Sequence, residues 1–189
     1  MEAITAYRPL GLLSVVIIIG GLLFLLWRWP QGIHMTFSQH AAQQKASILY
    51  YFLLFTLTLP LLALFFIGWF APTFHLHALF IWAIVLAMLL QYSVTIIPEV
   101  GGWKTTYHVA GSGASGICMV IALTILLFAP TLTTASKVVT GLSICVMLVI
   151  IGIGTIVRIK HARLLLLQSS FYAAFFMAVL FATYFGKPI

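Results

Sequence analysis

The chain has 189 residues, 63% of them hydrophobic, with 9 basic and 2 acidic side chains. A soluble domain carries about 25% charged residues; at 6% charged, with a mean hydropathy of +1.20, this chain cannot cover a water-facing surface, so lipid is most of its solvent. A secreted domain, a cytosolic enzyme, a nucleic-acid module and a disordered tail are excluded, and the formal charge of +7 is a topology signal rather than a DNA-binding patch.

A helix needs roughly 20 apolar residues to cross the hydrocarbon core. Six charge-free stretches qualify and predict an all-α, polytopic six-helix bundle forming a single transmembrane domain over residues 1–189. The alternating pattern of a porin strand is absent. The first stretch, Leu10–Trp27, is long for a signal-peptide core and no small-residue cleavage site follows, so it reads as a retained span. Loop 1 is polar and holds His34, Ser38, Gln39 and His40. The second span, Ile48–Trp69, has Pro60 near its middle, which should kink the helix, either for packing or to open a cavity. His75 and His77 follow in the next loop, and Ala78–Ile97 is the third span.

Pro98-Glu99 closes that span, and Glu99 stands out because the only other acid is Glu2. A carboxylate near lipid is expensive unless paired or functional; Lys104 and Arg28 are its plain ion-pair candidates. The fourth span, Val109–Ala129, has His108 at its mouth and opens with Gly111, Ser112, Ser115 and Gly116. Small residues four apart let helices approach closely, or leave room for a lipid headgroup. The run lacks the Lys-Ser/Thr ending of a phosphate-binding loop. Val138–Val157, with Gly152 and Gly154, and Leu164–Phe185 complete the set, with His161 between them. Cys118 and Cys145 read as small packing residues rather than a disulfide. Phe70-Ala71-Pro72-Thr73 and Phe128-Ala129-Pro130-Thr131 repeat one tetrapeptide, an echo best read as chance and shared helix-end chemistry.

Six spans put both termini on one face and loops 1, 3 and 5 on the other. Arg28, Lys45, Lys104, Arg158, Lys160 and Arg163 lie on the loop 1/3/5 face, against Arg8, Lys137 and Lys187 opposite. The positive-inside rule places loops 1, 3 and 5 in the cytoplasm and both termini outside a prokaryotic plasma membrane. Trp27, Trp29, Trp69 and Trp103 fall where an aromatic belt belongs.

The loop 1/3/5 face also gathers Glu99, His108, His40, His34 and His161. Carboxylate plus imidazole is what an acid–base pair needs, so Glu99 and His108 are the catalytic candidates; with His40 they could ligate a divalent metal. No HExxH, His pair on one helix or Cys ligand set supports the metal further. The spans have no Lys for a retinal Schiff base, no arginines for a voltage sensor, no His pairs for haem and no acids for an ion pump.

The Ser38-Gln39-His40 loop, Pro98-Glu99, and His108 followed by the small-residue run resemble the bacterial six-helix membrane proteins grouped as domain of unknown function 998, which are similar to DRAM/Sfk-type proteins. The resemblance implies the six-helix fold and a role for Glu99 and His108, but no reaction. The leading functional reading is a membrane protein that binds or remodels a lipid or amphipathic molecule at a polar pocket on the loop 1/3/5 face. The alternatives are a small transporter or flippase, prompted by Pro60 and the fifth-span glycines, and an assembly partner. Membrane lipids are the expected partners, nucleic acid is not, and the fourth helix would dock a second copy or another membrane protein.

Overall fold

Helix α1 (Arg8–Arg28) begins after a single 3-10 turn at Thr5–Tyr7, with Pro9 in its first turn, where a missing N–H removes no helical bond. The computed structural model describes residues 4–156 and 163–186. A short helix, α2 (Phe37–Ala41), lies in loop 1, and α3 (Lys45–Phe65) runs on without a break through a π-helical turn at Phe66–Phe70 into α4 (Ala71–Thr73). Helices α5 (Ala78–Ile96), α6 (Trp103–Leu127), α7 (Thr134–Ile156) and α8 (Leu164–Phe185) complete the chain. Among the described residues the protein is 83% helical without strands, and six helices are long and apolar enough to span a membrane. It is a multi-pass membrane protein built as an all-α six-helix bundle.

The observed helices differ from the hydropathy spans mainly at one end. Helix α6 starts at Trp103, six residues before the apolar run at Val109, so His108 lies in its second turn. Hydropathy reports the length that must sit in hydrocarbon, whereas the helix continues wherever its backbone bonds can form, here from Gly102 onward. Pro60 sits inside α3 without ending it, and a shallow groove of about 290 Å³ runs beside it.

The spanning helices form a ring in which α1 packs on α3, α3 on α5, α5 on α6, α6 on α7 and α7 on α8. The return contact from α8 to α1 is the thinnest neighbour contact. Close approach between α1 and α3 rests on glycine. A Cβ at Gly11 would stand 2.6 Å from the Phe65 ring, and one at Gly21 2.5 Å from Leu54. The widened π-turn serves the same end of the molecule: the Gly68 carbonyl accepts the Ile4 N–H at 2.9 Å, and Tyr7 fills the space a side chain at 68 would need.

A core of aromatic rings, Phe65, Phe66, Phe70, Phe74 and Phe80 among them, fills the end of the bundle nearest the termini. Buried hydroxyls on the spans turn back on their own helices: Ser14 donates to Leu10 O (2.7 Å), Thr58 to Leu54 O (2.8 Å) and Thr183 to Val179 O (2.7 Å). Each is thereby satisfied where no water reaches. The outside is as apolar as the inside, with Leu23, Trp82, Leu89 and Val149 all at least 60% exposed, as a lipid-facing surface requires.

Trp27 and Trp103 are exposed at the loop 1/3/5 end, and Trp29 is half-buried there, in belt positions. Trp69 departs from the expected belt: it is buried, packed on Phe65 and covered by the Arg8 guanidinium 5.5 Å above its ring. The two copies of the repeated tetrapeptide share a face but not an environment. Phe70 is fully buried and Phe128 is 77% exposed, which fits chance rather than a duplicated structural unit.

Candidate functional site at the loop 1/3/5 face

Helix α2 is set by the pair Thr36 and Gln39. Thr36 caps it, its hydroxyl accepting the Gln39 N–H (3.2 Å) while the Gln39 side-chain oxygen accepts the Thr36 N–H (2.9 Å). This reciprocal capping box satisfies two backbone donors that a short helix leaves free. It also fixes the Gln39 amide: with Oε1 committed to Thr36, Nε2 points outward and donates to Glu99 Oε1 at 2.9 Å.

Glu99 is brought to that amide by the α5–α6 connection. Gly101 (φ 92°) and Gly102 (φ 61°) occupy the left-handed region, where a side chain would be strained. They let the chain reverse within a few residues after Pro98. The other carboxylate oxygen, Oε2, accepts from Ser38 Oγ at 2.6 Å and from Thr36 Oγ1 at 3.2 Å. Glu99 therefore holds loop 1 through three side chains and, among the described residues, through no cation. Lys104 and Arg28 do not pair with it, and Arg28 instead lies over the Trp29 ring. Hydroxyl and amide donors bonded to a charged acceptor contribute about 1.5–3 kcal/mol each, so the carboxylate is anchored without an ion pair.

His108 is 3% exposed, and its Nε2–H donates to the Ile97 carbonyl across the same connection. Glu99 and His108 line one small cavity together with Ser38, Tyr51 and Thr95. His40 is buried one turn along α2, its Nδ1–H donating to the Thr36 carbonyl at 2.9 Å, and it does not line that cavity. The structure thus brings Glu99, His108 and Ser38 together and leaves His40 apart. Among the described residues no group of three His, Cys, Asp or Glu side chains forms, so the ligand set expected from His40, Glu99 and His108 is not assembled. His161, Arg158 and Lys160 lie outside the described residues. On the opposite face His77 Nδ1 caps α5 by accepting the Leu79 N–H (3.2 Å), and His75 adopts a left-handed φ of 51° where the chain turns.

The small-residue run of α6 divides its work. Gly111 meets Val94 of α5, where an added Cβ would stand 2.7 Å from Cγ1, and Ser115 donates to the Ala87 carbonyl at 3.0 Å. Gly116 faces Phe171 of α8. Ser112 is exposed and lines a crevice of about 200 Å³ among α6, α7 and α8, which ends at Gln168 and Tyr172. Cys118 is buried and Cys145 exposed, both free.

A second feature was not legible in the sequence. Between α1 and α8 lies an apolar groove of about 390 Å³, lined by Ile18, Leu22, Phe37, Ser169, Tyr172 and Phe176 among others. Polar bonds pin it at both ends. Arg8 donates to the Thr183 carbonyl at 3.1 Å at one end; at the other the Phe37 N–H donates to Gln168 Oε1 (3.0 Å) and the Leu165 N–H to the Ile33 carbonyl (3.3 Å). The Tyr172 hydroxyl, behind the groove, donates to Gln91 Oε1 at 3.0 Å. No family model, no curated protein and no solved structure matches this chain.

Proposed function

We propose that the protein binds an amphipathic membrane lipid, with an acyl chain in the α1–α8 groove and the polar end against loop 1. The observation that carries this reading is the groove itself, which reaches loop 1 at Phe37, on the same short helix whose Ser38 donates to Glu99. A lipid chain lying along α8 would therefore end beside the polar loop 1, at the level where its headgroup begins. The groove walls are almost wholly apolar, which suits hydrocarbon and disfavours a water-filled path for a polar solute.

In this reading Glu99 holds α2 as the polar cap of the groove, and Glu99 with His108 forms the pair on which any chemical alteration of the lipid would depend. The membrane is a prokaryotic plasma membrane, with loops 1, 3 and 5 in the cytoplasm, as the distribution of cations suggests. Kinship with the domain of unknown function 998 proteins is part of the same proposal and rests on Pro98-Glu99 and His108.

The test is lipid extraction and mass spectrometry on the detergent-purified protein, wild type beside Ala173→Trp. Ala173 lines the groove and is exposed to it, so an indole there fills the space without entering the core. Wild type should retain lipid after exhaustive washing, and the variant should lose most of it. Equal retention by the two proteins would end the proposal.

A further inference from the structure

The Ile97 carbonyl that faces His108 can only accept, so Nε2 carries the proton and Nδ1 of the neutral ring is a lone pair. That Nδ1 is buried and has no hydrogen-bond partner among the described residues. A buried acceptor left unmatched is unfavourable. The ring lines the cavity between α2, α3, α5 and α6 that Glu99 also lines, a space of about 10 Å³, close to the ~10–15 Å³ that one water molecule needs.

The other polar groups around that space sort into matched and unmatched. The Ser38 hydroxyl is committed to Glu99 at 2.6 Å, and the Thr95 hydroxyl to the Tyr92 carbonyl at 2.7 Å. Tyr51 is 4% exposed and its hydroxyl makes no hydrogen bond among the described residues. The cavity is thus lined by one side chain with a spare acceptor and another with a spare donor, beside a carboxylate whose oxygens have lone pairs to spare. We propose that the cavity is a built site for a single water molecule, which donates to His108 Nδ1 and to Glu99 and accepts from the Tyr51 hydroxyl.

Three bonds is the usual complement of a buried water. A cation is the poorer occupant, because the phenolic proton would face it and Ser38, Thr36 and Gln39 already draw on both carboxylate oxygens. In the proposed site the water joins His108 to Glu99, a one-water relay of the kind through which a side-chain base acts. The inference rests on the His108 cavity alone and stands or falls independently of the α1–α8 groove.

Two measurements on the full chain test it. In nanodiscs, nitrogen-15 NMR of labelled histidine should show His108 neutral, with its proton on Nε2, and Tyr51→Phe should shift the Nδ1 resonance. A proton on Nδ1, or an Nδ1 signal unmoved by Tyr51→Phe, would overturn the proposal. A crystal structure grown from a lipid mesophase, after a Mn²⁺ soak, should show a peak within hydrogen-bond distance of Nδ1 and the Tyr51 oxygen, without anomalous signal. An anomalous peak at that point, or no peak, would equally overturn it.

Discussion

Glu99 is the one carboxylate in the described chain, and its surroundings determine what each change there should do. Glu99→Gln keeps the shape but turns one acceptor into a donor. Whichever way the amide is placed, an N–H₂ faces either the Gln39 amide or the Ser38 and Thr36 hydroxyls. The expected loss is about 1.5–3 kcal/mol, read as a lower denaturant or thermal midpoint in detergent; an unchanged midpoint would mean that loop 1 is held by other contacts. Glu99 and His108 stood out in the sequence because acids and imidazoles are scarce in so apolar a chain, and the two line one cavity. Their partners did not stand out. Thr36 was not singled out, although Thr36-x-x-Gln39 around buried Phe37, His40 and Ala41 is a readable capping signature. The ion pair with Lys104 or Arg28 failed for a physical reason: short hydroxyl and amide side chains on a capped helix reach the carboxylate with less loss of freedom than a long cation.

Among the elements, the α5–α6 contact makes the sharpest prediction. Gly111→Ala drives a methyl to 2.7 Å from Val94, and overpacking of this kind costs about 1–3 kcal/mol. The double variant Gly111→Ala, Val94→Ala should recover much of that loss in the same unfolding measurement, whereas a helix-propensity effect would not respond to residue 94. Sequence reading credited close packing to the α6 run and found half of it. Gly11 and Gly21, which seat α1 on Phe65 and Leu54, lie in a span whose hydrophobicity is so uniform that no periodicity marks its inner face. The π-turn at Phe66–Phe70 was not read from the sequence either; Ile4 and Tyr7 dock against it at Gly68, whose carbonyl is free because Pro72, four residues on, has no N–H.

For the whole molecule, span number and order were legible because hydrocarbon thickness imposes a length on every crossing. The ring order and the α1–α8 groove were not, because they depend on which faces meet and not on how apolar each helix is. Orientation is the testable global property. Gln43 in loop 1 and His77 between α4 and α5 are both exposed, on opposite faces. In intact cells a membrane-impermeant maleimide should label His77→Cys and spare Gln43→Cys; the reverse pattern would invert the topology. The thin α1–α8 seam has a further consequence, for biogenesis. Of these six spans its two walls are the earliest and the latest to leave the ribosome, so α1 must sit in the bilayer with its α8-facing side bare until α8 is inserted. Among these six helices the ring then closes last, when Thr183 reaches Arg8 and Gln168 reaches the Phe37 amide. Truncation anywhere in α8 should leave inserted but unsealed chains, the form on which a membrane protease would act.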